Sequence, residues 1–371
     1  MKSGKSIILM IMSAILMIVF ISCSENRYDK EQDYLEKVNG SKDGLNSPEG
    51  NDRITVGFSV ASYQEERWLT DRDIFISKCK ELGAEVIVQS ANGDEELQAT
   101  QCKKLLAQDI DVLVVISQNS EKAASIVNDA KAVNVPVVAY DRLIRNSPLA
   151  AYVTYDNVKI GELQAEYLVK NAPKGNYILL GGAQTDYCAI QVREGQMNVL
   201  KPFIDRGDIN IIEKKWVEDC NPFEARKIVE EALIDHNNDV KAIVASNDGT
   251  AGGAIQALAE RKLAGQVFVS GQDADLAGCQ RIVEGTQSMT VYVPIKAEAE
   301  AAAETAIKLA KGEPFVGNSV TDNGDVSVET IRLSPMLVDK NNIVDNVITD
   351  GYQKFEEVFK NIAKSDWPEQ K

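Results

Sequence analysis

The sequence predicts an α/β protein made of two successive doubly wound units, each with a parallel sheet. Three observations favour this fold class: short β-branched apolar runs alternate with amphipathic helical stretches, the alternation restarts near the middle, and the chain has 371 residues. Continuous apolar strands separated by helices are typical of parallel sheets covered on both faces. At roughly 150 residues per domain, the length fits two units of similar size.

The first unit begins near Arg53 and contains four apolar runs with helical patterns between them. Strands are predicted at residues 54–59, 86–89, 112–116 and 135–140. Helices are predicted at residues 69–82, 94–108 and 120–132. Each helical stretch is longer than ten residues, which is enough for a crossover between parallel strands.

The second unit follows a short apolar run at residues 151–154, after which the same rhythm resumes. Its strands are predicted at residues 177–180, 209–215, 242–245, 267–270 and 289–292, with helices between them. The repeated order of strand and helix favours a second parallel sheet over an extension of the first.

The composition excludes several classes of function. The formal net charge is −16, from 40 Lys and Arg against 56 Asp and Glu, which disfavours a nucleic-acid partner. The single histidine, His236, excludes histidine triads and multi-histidine zinc sites. With 44% apolar and 26% charged residues, the chain is expected to fold rather than to remain disordered as a whole.

The N-terminal segment has the pattern of an export signal. Lys2 and Lys5 precede an apolar stretch at residues 7–21, and the following Ser-Cys pair resembles a bacterial lipobox. We expect residues 1–22 to be a signal peptide and Cys23 to be lipid-modified, and the alternative is an uncleaved N-terminal anchor. Either arrangement places the rest of the chain outside the cytoplasm, at the cell surface or in the periplasm.

Residues 23–52 are expected to be a flexible linker between the lipid anchor and the folded part. This segment is rich in Asn, Asp, Glu, Lys, Ser and Gly and has few apolar residues, so it cannot bury enough surface to fold. A small extra subdomain is the alternative.

Polar side chains follow several of the predicted strands. In open α/β sheets, ligands bind beyond the carboxyl ends of the strands, where these loops meet. Carboxylates, amides, guanidinium groups and a tryptophan are the groups that a neutral, polyhydroxylated ligand requires. The candidate residues are Arg67, Trp68, Asp141, Arg142, Asp186, Asn247 and Asp273. For any one of the acidic residues, a helix N-cap is the alternative interpretation.

No cofactor or metal site is expected. Gly249, Gly252 and Gly253 do not form a dinucleotide-binding fingerprint, and close helix packing is the better explanation. Residues 322–325 lack the spacing of a calcium-binding loop and are typical of a hairpin turn.

Several longer motifs carry a resemblance to a known family. They are Glu66-Arg67-Trp68, Asp71-Arg72-Asp73-Ile74-Phe75, Val88-Gln89-Ser90-Ala91-Asn92-Gly93, Ala139-Tyr140-Asp141-Arg142, Val244-Ala245-Ser246-Asn247-Asp248 and Ser270-Gly271-Gln272-Asp273-Ala274-Asp275-Leu276-Ala277-Gly278. From about Ile54 to Asp350, the chain resembles the bacterial periplasmic D-xylose-binding proteins, which are substrate-binding components of ABC transporters.

The resemblance implies the type I fold of periplasmic binding proteins, in which two lobes are joined by three hinge strands. The N-terminal lobe would contain residues 53–156 and 294–336, and the C-terminal lobe would contain residues 157–293 and 337–371. The chain would cross between the lobes near Asp156, Pro294 and Leu337.

The resemblance assigns the family's sugar contacts to the same seven residues selected above. Three positions depart from the family pattern: Cys188 stands in place of an asparagine, Cys220 in place of a second tryptophan, and Val293 in place of a lysine. These departures leave open which sugar is bound. Cys188 and Cys220 would follow neighbouring strands, so a disulfide and a pair of free thiols are both open.

By this resemblance, the protein would capture a monosaccharide, D-xylose or a related sugar, and deliver it to an ABC sugar importer without chemical turnover. The alternative is a sensor that presents bound sugar to a membrane histidine kinase or chemoreceptor. An enzyme on the same fold is a third class, for which the sequence offers no poised nucleophile and base. The oligomeric state is left open.

Overall fold

The computed structural model describes residues 53–368, and these residues contain two parallel sheets and a smaller antiparallel pair of strands. The strands are β1 (Thr55–Val60), β2 (Glu85–Ser90), β3 (Val112–Val115), β4 (Val137–Tyr140), β5 (Ala151–Tyr155), β6 (Gly175–Gly181), β7 (Ile209–Trp216), β8 (Ala242–Ala245), β9 (Phe268–Val269), β10 (Thr290–Tyr292), β11 (Ser319–Asp322), β12 (Ser327–Leu333) and β13 (Met336–Val338).

Helices occupy most connections between these strands. They are α1 (Arg67–Glu81), α2 (Glu95–Leu106), α3 (Ala124–Ala132), α4 (Asn157–Asn171), α5 (Tyr187–Asp205), α6 (Pro222–Asp235), α7 (Asp248–Glu260), α8 (Leu276–Glu284), α9 (Ile295–Ala310) and the short α10 (Phe355–Val358). No helix among residues 53–368 is both long enough and apolar enough to cross a membrane.

The first sheet has seven strands in the order β11-β12-β5-β4-β3-β1-β2. Every pairing in it is parallel except the edge pair of β11 and β12, which the predicted turn at residues 322–325 connects as a hairpin. All residues of β3, β4 and β5 are buried. Continuous burial is typical of a parallel sheet covered by helices on both faces, and α1 and α9 pack together here.

The second sheet has four parallel strands in the order β7-β6-β8-β9. Apart from these two sheets, β10 and β13 form an antiparallel pair. The fold class is therefore confirmed as α/β with two parallel sheets. The boundaries of the two lobes and the positions of their crossings remain predictions.

Close helix packing depends on three glycines at two helix contacts. A Cβ atom on Gly161 would lie 1.9 Å from the Val192 carbonyl oxygen, and one on Gly195 would lie 1.9 Å from the Val158 carbonyl oxygen. The two glycines therefore let α4 and α5 approach backbone to backbone. Gly253 does the same for α7, because its Cβ would meet the Pro222 oxygen at 2.0 Å, which supports the packing interpretation of that glycine-rich motif.

The predicted signal peptide, the lipidation at Cys23 and the linker at residues 23–52 lie outside the described residues. All nine predicted strands overlap an observed strand. The largest proportional shortening is at residues 267–270, where β9 has only two residues.

Candidate functional site

A cavity lies between loops of the first sheet and loops of the second sheet, and it encloses about 880 Å³ including space open to solvent. All seven residues that the sequence selected line it: Arg67, Trp68, Asp141, Arg142, Asp186, Asn247 and Asp273. Each follows a strand of one of the two parallel sheets or begins the helix after it. Residues as far apart in the sequence as Arg67 and Asp273 therefore meet at one cavity.

Two of the aspartates occupy a backbone conformation that few residues adopt. Asp141 directly follows β4 with φ of 59°, and Asp273 follows β9 with φ of 95°. Such conformations cost free energy and persist where surrounding contacts hold them. The Asp141 amide donates to the Val153 carbonyl, and the Asp273 amide donates to the Val291 carbonyl. The strain is therefore fixed by neighbouring strands.

Asp186 and Asn247 are helix N-caps and cavity residues at once. Asp186 Oδ1 accepts from the Cys188 amide at 2.9 Å at the start of α5, and Asp186 Oδ2 faces Arg142 Nε at 3.3 Å. Asn247 Oδ1 accepts from the Thr250 amide at 2.9 Å at the start of α7, and its Nδ2 donates to the Glu65 carboxylate at 3.3 Å. The capping alternative is therefore compatible with the site, because the cap uses one side-chain atom and the other contacts a second cavity residue.

Arg67 is the centre of a buried ionic cluster. Its guanidinium lies 2.8 Å from Glu298, 3.1 Å from Asp141, 3.3 Å from Asp71 and 3.7 Å from Asp273. Burial alone would lower the pKa of this guanidinium, but the four carboxylates hold its pKa above the usual value. Arg67 remains charged and is fixed in the cavity wall by partners on every side.

One positive charge cannot balance four carboxyl groups, of which those of Asp71, Asp273 and Glu298 are buried. Burial raises the pKa of Asp273 to about 8, and Arg67 only partly offsets this. Burial also raises the pKa of Asp71 and Glu298, again against the pull of Arg67. Part of the cluster therefore holds protons at neutral pH, and these protonated carboxyls offer hydrogen-bond donors as well as acceptors.

Arg142 is held more loosely than Arg67. Its guanidinium lies 3.3 Å from Asp186 and 3.4 Å from Glu65, and it also donates to the Ser117 carbonyl at 3.4 Å. Glu65 was missed by the sequence reasoning, although it stands two positions before Arg67, in the loop that leads into α1. Its carboxylate also accepts from the Trp68 indole N–H and from the Asn247 amide, the latter at 3.3 Å.

Trp68 is buried between charged groups. The guanidinium carbon of Arg67 lies 4.3 Å from the centre of its ring, and that of Arg142 lies 5.4 Å from it. These are cation–π distances, which orient both guanidiniums toward the cavity wall. Stacking of a sugar on this ring remains a prediction.

The three positions that depart from the family pattern behave differently. Cys188 and Cys220 line the cavity as free thiols, and Cys188 Sγ donates to the Asp141 carbonyl at 3.2 Å. The structure therefore has the free-thiol arrangement rather than the disulfide. Val293 is fully buried beneath the cavity, packed in an apolar cluster with Tyr155, Ile160 and Val192.

Hydrogen bonds cross the cavity at its rim. Gln64 Nε2 donates to the Asp219 carbonyl at 2.9 Å, and Gln118 Nε2 donates to the Asp219 carboxylate at 3.1 Å. Asp219 and Cys220 both have positive φ angles in a single 3₁₀ turn at Glu218–Cys220. Asp219 was not selected from the sequence, but it directly precedes Cys220, which was.

Two buried hydroxyl groups of the cavity have no hydrogen-bond partner among the described residues. They belong to Tyr155 and Ser246, which are 2% and 7% exposed. Because buried polar groups are nearly always paired, an unpaired hydroxyl in a cavity wall indicates a partner supplied by a polar ligand. Among residues 53–368 no group of His, Cys, Asp and Glu side chains converges as a metal site would require.

Comparison with known proteins identifies the family. Residues 56–314 match the model of the periplasmic binding protein domain. The chain is 47% identical over 305 residues to the D-xylose-binding periplasmic protein of Escherichia coli, covering 82% of this chain and 92% of that protein. It is 46% identical to the D-xylose-binding periplasmic protein of Haemophilus influenzae, with the same coverage.

A solved structure of a carbohydrate transporter solute-binding protein from Chloroflexus aurantiacus, in complex with D-glucose, has a similar fold. Its TM-score is 0.78 at 28% identity, and the match covers 82% of this chain and 98% of that one. The chain belongs to the periplasmic binding protein family, with the D-xylose-binding periplasmic proteins among its relatives.

Proposed function

We propose that the protein is an extracytoplasmic solute-binding lipoprotein that captures a monosaccharide, D-xylose or a related sugar, and delivers it to an ABC sugar importer. The observation that carries the proposal is that seven side chains suited to binding sugar hydroxyls, from segments that follow strands of both sheets, line one cavity. A relative that is 47% identical is named as a D-xylose-binding protein, and a structural neighbour is described with bound D-glucose.

The chemistry of the cavity suits a sugar. Ionised and protonated carboxyls accept from and donate to vicinal hydroxyls, while Arg142 and Asn247 offer N–H donors. Residues from both sheets must contact the sugar together, so binding stabilises the arrangement in which the rim hydrogen bonds to Asp219 form. Release to a permease then follows when those contacts separate.

Binding can be tested by calorimetry with a matched pair of variants. Asp186 and Asp94 both cap helices, but only Asp186 lines the cavity. Asparagine also caps helices, so Asp186→Asn and Asp94→Asn should both keep the helix and change only the charge. We expect D-xylose or another neutral monosaccharide to bind one site per chain, at least about tenfold weaker in Asp186→Asn and unchanged in Asp94→Asn. Silence across a panel of monosaccharides would refute the proposal.

We also propose that the sugar leaves unchanged. Each arginine of the cavity is paired with carboxylates. Asp273 is the cavity group that comes closest to a catalytic acid or base, and hydrogen bonds hold both its amide and its side chain in place. Incubation of the protein with each bound sugar, followed by NMR of the solution, should show no product. Appearance of a new sugar species would place the protein among the enzymes on this fold.

Delivery and anchoring need separate measurements. Cells that lack the protein should lose uptake of the bound sugar, whereas unchanged uptake would favour the sensing role. We propose that Cys23 carries the lipid, and Cys23→Ser should then move the protein from the membrane fraction to the soluble fraction. Continued membrane association of that variant would favour an uncleaved N-terminal anchor instead.

A further inference from the structure

The Glu65 carboxylate is bound by side chains that we expect to contact the sugar. Its carboxylate accepts from the Trp68 indole N–H and the Asn247 amide, and it pairs with Arg142. These are three of the seven side chains assigned to the sugar. A neutral sugar that takes these donors for its own hydroxyls leaves the Glu65 carboxylate without them, and a partly buried carboxylate that loses its donors is destabilised.

The cavity as a whole carries an excess of negative charge. Five carboxyl groups line it, from Glu65, Asp141, Asp186, Asp219 and Asp273, against the two guanidiniums of Arg67 and Arg142, so acidic groups remain in excess even with Asp273 protonated.

Neither guanidinium is free to offset that excess. Arg67 also pairs with Asp71 and Glu298 behind the wall, so its charge is shared among four carboxylates. Where the resemblance implies a lysine, the chain has the buried Val293. Buried charge of one sign is relieved either by protons or by an opposite charge, and the raised pKa of Asp273 indicates that protons now serve this purpose.

The compensating charge is better supplied by an organic cation than by a metal ion. The carboxylates are spread around the cavity, and no metal-binding cluster of His, Cys, Asp and Glu occurs in the described part of the chain. The unpaired hydroxyls of Tyr155 and Ser246, both more than nine-tenths buried, indicate that the occupant also carries hydrogen-bonding groups at other positions.

We propose that the cavity prefers a monosaccharide that carries a protonated amino group, with the Glu65 carboxylate as the partner of that ammonium. The inference rests on the proposed function and names the class of sugar. An ammonium provides three N–H donors together with a positive charge, whereas a hydroxyl at the same position provides one donor and no charge. The difference is largest in a partly buried site, where solvent screens charges weakly.

The test is isothermal titration at about pH 6.5, where sugar amines are protonated, with matched pairs of ligands. D-glucosamine, D-galactosamine and D-mannosamine are compared with D-glucose, D-galactose and D-mannose, and D-xylose and N-acetyl-D-glucosamine serve as neutral references. We expect at least one amino sugar to bind at least about tenfold more tightly than its parent sugar. In Glu65→Gln this preference should fall to about threefold or less, because the amide removes the charge and keeps the shape.

Glu66→Gln is the control variant, because Glu66 is the next carboxylate in the chain, is exposed and does not line the cavity. It should keep the full preference for the amino sugar. Parent sugars that bind as tightly as every amino sugar would overturn the inference and leave the proposed function intact. A preference that persists in Glu65→Gln would overturn the assignment to Glu65. Failure of all sugars to bind would overturn both the inference and the proposed function.

Discussion

The two arginines of the cavity have the same chemistry and very different surroundings. Arg67 is 3% exposed and is held by four carboxylates, while Arg142 is 15% exposed and pairs with Glu65 and Asp186 at 3.3–3.4 Å. A charge enclosed by partners contributes to the fold as much as to binding, whereas a partly exposed charge with longer contacts can exchange its partners for a ligand. Arg67 therefore belongs to the framework of the site, and Arg142 to its adaptable part.

The largest loss of stability should come from removing the positive charge of Arg67. Arg67→Met leaves the buried Asp71 and Glu298 and the partly exposed Asp141 without their cation, so we expect the free energy of unfolding to fall by about 3–5 kcal/mol. Urea denaturation followed by circular dichroism measures this loss, and Arg142→Met is the matched control. Equal losses in the two variants would contradict the distinction between framework and adaptable arginines.

A pH-dependent change in the free energy of unfolding should arise from Asp273, the carboxyl that Arg67 does not keep ionised. Burial raises the pKa of Asp273 to about 8, so the folded chain retains a proton that the unfolded chain releases at much lower pH. The contribution of this proton to stability is present in mild acid and is lost as the pH rises toward 8. Between about pH 5 and pH 8, the wild type should lose on the order of 2 kcal/mol relative to Asp273→Asn.

The control for this comparison is Asp156→Asn, which changes a partly exposed helix-capping carboxylate outside the cavity. It should follow the wild type across the same pH range. Parallel pH profiles for Asp273→Asn and the wild type would show that Asp273 is ionised in the folded protein.

A smaller effect on stability, with a clear effect on binding, should follow from removing the adaptable arginine. Arg142→Met should lower the free energy of unfolding by about 1 kcal/mol, because its partners are partly exposed. Sugar affinity should fall at least about tenfold, since a buried hydroxyl loses a charged donor. Calorimetry together with urea denaturation separates the two effects, and a loss of stability without a loss of affinity would assign Arg142 to the framework.

The smallest change in the free energy of unfolding should come from replacing Cys220. Cys220→Ser should change the free energy of unfolding by no more than about 0.5 kcal/mol, because Cys220 is partly exposed and has a free thiol. For the same reason, adding a reductant to the wild type should leave its melting temperature unchanged. A melting temperature that falls on reduction would reveal a Cys188–Cys220 bond in solution.

The sequence predicted the residues that directly follow strands better than the cavity residues of the intervening loops and helices. Buried apolar strands are visible as continuous runs, and the residues that follow them are placed by sheet topology, which is why Asp141, Asp186, Asn247 and Asp273 could be selected. The short strand β9 was predicted least accurately, because Val267 and Ser270 at its two ends lie outside the ladder that Phe268 and Val269 form with β8.

Glu65 and Asp219 could not be found in this way. Each lies in a loop with no repeating pattern, and each faces the cavity because of a local backbone path, which at Asp219 includes a positive φ angle. Glu298 was also missed: it lies in the first turn of an alanine-rich helix, and only the packing of α9 against α1 brings it to Arg67. Such contacts depend on tertiary structure rather than on the local sequence.

Asp186 and Asn247 each cap a helix and line the cavity, and this limits how mutations can change the ligand that the protein binds. A substitution at either position alters the cavity and also removes a helix cap, which costs about 0.5–2 kcal/mol unless the new residue also caps. Cys188 and Cys220 cap no helix through their side chains, and Glu65 lies in a loop before α1. New specificities are therefore expected to arise first at these three positions, where a mutation changes recognition without a matching loss of stability.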